Sequence, residues 1–208
     1  MTVEPGGPVD PGAHVSERWA QWRRDIPLHE YHRRWERLEA DGKAPHGEAD
    51  FIAGYGPASV LDAGCGMGRV AIELSRRGID VDGTDLDADL LAYAQHDAPH
   101  LAWVHGDLAA VQMPRRYDLV AMPGNVMIFC RAEDRAPIVA NMARHLLPGG
   151  RLVAGFSLDR QAGSLSLDDY DAACTAAGLV LVERFATWGR APYAGGDYAL
   201  SVHQSALA

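Results

Sequence analysis

The stretch VLDAGCGMGRVAIEL, Val60 to Leu74, reads as a strand, a glycine turn and a helix in direct succession. The apolar run ends at Gly64, Gly66 and Gly68 follow, and the remainder has helical spacing that stops at Gly78. Glycine is needed where the backbone takes a positive φ or where a ligand must come close. A strand, a glycine turn and a helix start together make a nucleotide-type site at the carboxyl end of a sheet.

The spacing narrows that site. A dinucleotide fingerprint reads GxGxxG, with the helix N-terminus facing a pyrophosphate. Here it is GxGxG, Arg69 stands where the third glycine would be, and Asp62 lies two residues before Gly64. A carboxylate at that point repels a pyrophosphate and suits a ligand carrying an ammonium group or a positive sulfur.

Outward from the turn, strands alternate with helices. The strand-like segments are SVLDA, DVDGTDL, LAWVHGD, YDLVAM, RLVAGFS, LVLVERFATW and DYALSVHQ. Helical segments separate the earlier ones, including AEDRAPIVANMARHLLPGG, which is expected to end at Pro148-Gly149-Gly150. Such alternation indicates crossover units and a parallel sheet. The loop Gly189 to Gly196 is too short for a crossover, so the last two strands form a hairpin. The expected fold is α/β: a Rossmann-like three-layer sandwich with a mostly parallel seven-stranded sheet, an antiparallel C-terminal strand and an N-terminal helical lid.

The second strand runs into DVDGTDLDADL, Asp80 to Leu90, which holds five aspartates. A calcium loop needs glycine at its sixth position and glutamate at its twelfth. Counting from Asp80 gives Asp85 and Leu91; counting from Asp85 gives Leu90 and His96. No metal is expected. Asp85, nineteen residues past Gly66, sits where an acid accepts hydrogen bonds from ribose hydroxyls. Asp87 reads as a helix N-cap. Asp80, Asp82 and Asp89 are expected to be solvated and without a specific task.

Bulk properties bound the rest. The 208 residues suit one domain with short appendages. The expected divisions are a disordered N-terminus (1–15), a helical cap (16–50) and the main domain (51–208). Hydrophobic content of 48% and charged content of 23% are ordinary for a globular chain. Cys65, Cys130 and Cys174 are scattered, so neither a zinc site nor a disulfide framework is expected, and a reducing cytoplasm is the default. The net charge of −9 argues against broad contact with nucleic acid. No apolar run approaches a membrane span, and no secretory leader is expected.

The longer stretch VLDAGCGMGRVAIELSRRGIDVDGTDLD resembles motif I and its sequel in class I S-adenosylmethionine-dependent methyltransferases. The resemblance implies that Asp62, Ala63, Gly64 and Gly66 wrap the methionine part of the cofactor, with Arg69 beside them. It implies Asp85, followed by Leu86, as the ribose ligand. Asp107 and Leu108 in WVHGDL match the positions that meet the adenine. YDLVAMPGNVMIF resembles the fourth strand and its loop, which makes Met122, Pro123, Gly124 and Asn125 candidates beside the transferring methyl. Families that methylate exocyclic or amide nitrogens often carry Asn/Asp-Pro-Pro-aromatic there; Met-Pro-Gly-Asn departs from that.

Before the sheet, SERWAQWRRDIPLHEYHRRWERLEADG has helical character broken near Pro27. Two readings of its aromatics stand. They pack the helix on the domain, or, as in many small methyltransferases, Tyr31 and Trp35 close over the cofactor, an aromatic face suiting a cation. HEYH, at 29–32, is one residue short of a zinc-binding HExxH. No catalytic base is assigned; His29, His32, His46 and Glu48 are the first to test. The implied cofactor is S-adenosylmethionine, with S-adenosylhomocysteine as product. The implied partner is a small-molecule acceptor, with no nucleic acid and no membrane, on a monomer or homodimer. The competing readings are a non-catalytic module that keeps the cofactor pocket and a nicotinamide-dependent oxidoreductase.

Overall fold

The computed structural model describes residues 15–41, 46–158 and 164–206. The expected disordered lead-in lies outside these residues up to position 14.

The described residues begin with α1 (Glu17–Asp25) and α2 (Leu28–Ala40), separated at Pro27, followed by α3 (Gly47–Ala53). Then come β1 (Ser59–Ala63), α4 (Arg69–Arg76), β2 (Asp80–Asp85), α5 (Ala88–Asp97), β3 (Ala102–His105) and β4 (Tyr117–Met122). After β4 lie α6 (Val126–Phe129), α7 (Arg135–Arg144), β5 (Leu146–Ser157), α8 (Leu167–Ala176), β6 (Leu179–Phe185) and β7 (Tyr198–Ser205).

The seven strands lie in the order β3-β2-β1-β4-β5-β7-β6. The first five are mutually parallel, and β7 runs antiparallel to both β5 and β6. This is the Rossmann-like arrangement that the strand–helix alternation indicates. The order reverses beside β1, so β2 and β4 flank it and a crevice opens at the carboxyl ends of β1, β2 and β4.

Central strands are apolar because both sheet faces are covered. Val60, Leu61 and Ala63 are fully buried. One face packs Val60, Leu119, Val153 and Val202 against Phe51 and Ile52 of α3 and Val70, Ala71 and Leu74 of α4. The other packs Leu61, Val120, Leu152 and Phe156 against Ile138, Val139 and Met142 of α7 and Tyr170 and Cys174 of α8.

One helix end differs from expectation. The helix stops at Arg144 rather than running to Pro148-Gly149-Gly150, and Leu146 already pairs with Tyr117. The β4–β5 register then jumps to Leu119 opposite Arg151. Residues 147–150 form the extra length at this irregularity. Pro148 lacks an N–H and is tolerated where the ladder is interrupted.

Candidate active site

The glycine turn is tied to β2 before it reaches α4. The Gly64 and Cys65 N–H groups donate to the Thr84 carbonyl at 2.8 and 3.0 Å. Gly64 (φ 77°) and Gly66 (φ 55°) both lie in the left-handed region. A side chain at position 64 would meet Val126 Cγ2 at 2.6 Å, whereas one at 66 would find only Leu90 Cδ1, at 4.0 Å. The turn is therefore closed on the α6 side and open at Gly66.

It opens into a cavity of about 390 Å³, within the range of small-molecule sites. The wall gathers Asp62, Gly64, Gly66, Arg69, Asp85, Leu86, Asp107, Leu108, Gly124 and Asn125 from the ends of β1 to β4. Tyr31 of α2 joins them from the N-terminal helices. Ala63 and Met122 do not line the cavity. Both are fully buried in the core under α7 and α8, because residues alternate sides along a strand. The Trp35 side chain lies outside the described residues.

Two buried carboxylates face this space. Asp62 is 1% exposed; its Oδ2 accepts from the Ala71 N–H at 3.1 Å, and its Oδ1 has no hydrogen-bond partner among the described residues. Burial pushes its carboxyl up to about 7, against the lowering effect of the Ala71 bond and the Arg69 charge. Asp85 accepts from the Gly66 N–H at 2.7 Å and the Asp87 N–H at 2.9 Å. Burial again dominates, holding it at about 6.

The five aspartates of the second strand divide by position. Asp87 caps α5, accepting from Asp89 N and Leu90 N at 2.9 and 3.3 Å. Asp82 corrects the expectation of a solvated acid. It is buried at the far end of β2, where Tyr117 Oη donates to it at 2.6 Å and Arg115 Nε at 2.8 Å. Arg115 also reaches Asp80. Asp89 is exposed but paired, with Arg23 at 2.6 Å.

Two loops complete the rim. Asp107 Oδ1 accepts from the Ala109 N–H at 2.8 Å, and His105 Nε2 donates to the Leu86 carbonyl at 2.8 Å, joining β3 to the Asp85 loop. Asn125 Oδ1 is engaged by the N–H and hydroxyl of Ser157 at 2.8 and 3.2 Å, which fixes the loop after β4 to β5. Arg69 makes a two-pronged ion pair with Glu48, at 2.6 and 3.1 Å. His29, His32, His46 and Glu48 do not line the cavity. His32 bonds Asp97 at 2.6 Å.

Sequence reasoning missed much of the opposite wall. Val15, Trp19 and Trp22, from α1 and the residues before it, and Phe129, Cys130, Asp134 and Ile138, from α6 to α7, face the same space. The Trp22 ring meets Tyr31 edge-on at 5.4 Å and Phe129 at 6.1 Å. The available signal was two tryptophans three residues apart, Trp19 and Trp22, in a segment of helical spacing. Ser16 caps α1 and donates to the Phe129 carbonyl at 2.5 Å, and Arg23 Nε bonds Asp87 at 2.7 Å, so α1 spans the cavity from α6 to α5. Among the described residues, no group of three or more His, Cys, Asp or Glu side chains is placed to hold a metal ion, and no helix is long and apolar enough to cross a membrane.

Residues 60–150 match the family described as a methyltransferase domain. Over 108 residues the chain is 30% identical to the dTDP-3-amino-3,4,6-trideoxy-alpha-D-glucopyranose N,N-dimethyltransferase of Streptomyces venezuelae, covering 50% of this chain and 46% of that protein. The chain spans about half the length of the curated relatives it matches. The solved structure of a TehB-like SAM-dependent methyltransferase from Corynebacterium glutamicum is 38% identical, with a TM-score of 0.78 over 86% of this chain and 100% of that one. The CcbJ methyltransferase of Streptomyces caelestis shares the fold at 20% identity, with a TM-score of 0.70 over 77% of this chain and 94% of that one. The chain thus belongs to the class I S-adenosylmethionine-dependent methyltransferases.

Proposed function

We propose that this protein transfers a methyl group from S-adenosylmethionine to a small-molecule acceptor. The observation that carries the reading is the convergence of Asp62, Gly64, Gly66, Asp85 and Asp107 on one cavity, with one Asp62 oxygen buried and without a hydrogen-bond partner among the described residues. An unmet buried acceptor is costly unless something donates to it. An amino-acid ammonium is such a donor, and the open side of the turn at Gly66 leaves space for the tail that carries it.

The residues fit the rest of the cofactor by chemical type. Asp85 is preset by two N–H bonds to accept from the ribose hydroxyls, with Leu86 beside it. Asp107 accepts from an exocyclic amine and Leu108 borders the ring. Arg69 is the candidate for the carboxylate. Gly124 and Asn125 stand beside the transfer point, and Tyr31, with the neighbouring rings, closes the cavity against water.

When bound, S-adenosylmethionine supplies a methyl already activated by a positive sulfur. The chain's task is to align acceptor, carbon and sulfur and to exclude water. A base is required only if the acceptor must lose a proton during transfer. The acidic cavity and the net charge of −9 support a small acceptor over nucleic acid. Three free thiols suit a reducing cytoplasm.

Calorimetric titration tests the reading. S-adenosylhomocysteine should bind stoichiometrically and NAD should not. NAD binding, or a silent titration with S-adenosylhomocysteine, overturns it.

A further inference from the structure

We propose that Glu48 is a positioning residue for the cofactor: from outside the cavity it holds Arg69 at the end that receives the amino-acid tail. This rests on the cofactor reading above and deepens it.

Where Arg69 stands, it needs an anion to hold it. It is the first residue of α4, directly after Gly68, whose φ of 79° ends the glycine turn. A helix N-terminus carries partial positive charge, so a cation in the first turn is disfavoured by its own helix. A long side chain with many rotamers also loses entropy when it is fixed in one place. Yet Arg69 lines the cavity, and its side chain is only 20% exposed.

Glu48 supplies the anion. Arg69 Nη2 donates to Oε1 at 2.6 Å and Nη1 to Oε2 at 3.1 Å. Two parallel bonds of this kind fix the plane of a guanidinium as well as its position. Glu48 lies in the first turn of α3, where the helix N-terminus favours an acid. Ala49, Phe51 and Ile52 of the same helix are buried with Val70, Ala71 and Leu74 of α4, so the carboxylate is carried on a packed element. The guanidinium is therefore set in place before a ligand arrives, which spares the ligand the cost of ordering it.

The neighbour of this pair is the buried carboxylate of Asp62. Its Oδ2 accepts from the N–H of Ala71, two residues past Arg69. Burial holds the Asp62 carboxyl high; the Ala71 bond and then the Arg69 charge pull it down, and Glu48 pushes it up. The three charges thus act on one another at one end of the cavity. An amino-acid tail carries an ammonium and a carboxylate on one carbon, and a fixed carboxylate beside a fixed guanidinium matches that pair. Asp85 and Asp107, the candidates for the adenosine half, make no contact with Glu48 among the described residues. A second tie between the same two helices offers a comparison. Arg77 Nη1 pairs with Asp50 at 2.7 Å, joining α3 to the far end of α4, and neither residue lines the cavity.

The test titrates two ligands into the wild type, Glu48→Gln and Asp50→Asn. One is S-adenosylhomocysteine; the other is 5′-methylthioadenosine, the same kind of adenosyl thioether without the amino-acid tail. Glu48→Gln keeps the shape and removes the charge. It should bind S-adenosylhomocysteine at least about fivefold more weakly, the scale of a weakened charge-assisted hydrogen bond, with 5′-methylthioadenosine unchanged. Asp50→Asn should leave both affinities as they are. Equal losses for the two ligands, equal losses in the two variants, or no loss in Glu48→Gln overturns the positioning role. The comparison between variants needs only S-adenosylhomocysteine, so it decides even where the truncated ligand binds weakly. Should Glu48→Gln not fold, Glu48→Asp takes its place: it keeps the charge but is one methylene short of both nitrogens, and the same tail-selective loss is expected. Wild-type protein that does not bind S-adenosylhomocysteine overturns the cofactor reading instead, so the two failures are distinguishable.

Discussion

The Gly66 N–H donates to Asp85 Oδ2 at 2.7 Å, which makes the glycine turn after β1 and the acid that closes β2 one hydrogen-bonded unit. The other Asp85 oxygen accepts from Asp87 N at 2.9 Å, so the same carboxylate also fixes the start of α5. A ligand that engages Asp85 therefore touches the point where two crossover units meet.

Replacing Asp85 tests that junction. Asp85→Ala should weaken S-adenosylhomocysteine binding at least about tenfold, the scale of one charge-assisted hydrogen bond at roughly 1.5–3 kcal/mol. It should also lower the melting temperature, because the Gly66 and Asp87 N–H groups lose their acceptor. Calorimetry and thermal melts read the two effects separately. Unchanged affinity would remove the ribose assignment.

Acidity gives a second prediction. Burial raises both Asp85 and Asp62 above the ordinary 3.8, to about 6 and about 7. A raised folded-state pKa contributes stability at low pH that is lost as pH climbs through the folded value. The ligand-free protein should thus lose stability as pH rises from about 4 to about 7, between the ordinary and the folded values. Affinity for the sulfonium cofactor should rise over the same window, since a cation prefers the ionised carboxylates. Urea melts of the wild type and Asp62→Asn across this range check it; identical pH slopes would sink the idea.

Arg23 ties α1 to the start of α5 through Asp87 and Asp89, at 2.7 and 2.6 Å. The pair is partly exposed, so Arg23→Ala should cost no more than about 1 kcal/mol of stability. The expected effect is kinetic: S-adenosylhomocysteine should leave about fivefold faster, with raised salt giving a similar acceleration in the wild type. Stopped-flow tryptophan fluorescence is suited to this, because Trp19 and Trp22 are in the wall. Equal release rates in both proteins would show that the contact does not latch the helix.

Gly64 and Gly66 share a left-handed backbone but differ in surroundings. Alanine at either position carries about 1–2 kcal/mol of backbone strain. Only at 64 does its Cβ also press on Val126, at 2.6 Å. Gly64→Ala should accordingly destabilise the protein more than Gly66→Ala in urea denaturation, and Gly66→Ala should act mainly on cofactor affinity. The reverse order would mean that the turn, rather than α6, yields.

The strand, turn and helix from Val60 to Leu74 were legible because each signal is local. An apolar run, three glycines and helical spacing need no information from elsewhere in the chain. Asp85 and Asp87 were legible for the same reason, one ending a strand and the other capping the next helix. Asp82 was not. Its partners Arg115 and Tyr117 lie 33 and 35 residues away, and nothing near Asp82 announces them. The family resemblance put Ala63 and Met122 beside the cofactor, yet side-chain alternation turns both side chains into the core.

What the sequence determined alone is therefore the crossover architecture and the part of the cavity wall built at the ends of β1, β2 and β3, since both are written in short-range spacing at the ends of successive strands. The tertiary structure decided the rest. Helix α1 has polar and aromatic residues with no internal rule for where they dock. Only the folded chain brings Ser16 to Phe129 and Arg23 to Asp87, and with them Trp19 and Trp22 over the acids of β1 and β2. Periodicity states which residues share a face; what that face meets depends on contacts across some 60 to 110 residues of chain, which packing and charge settle together.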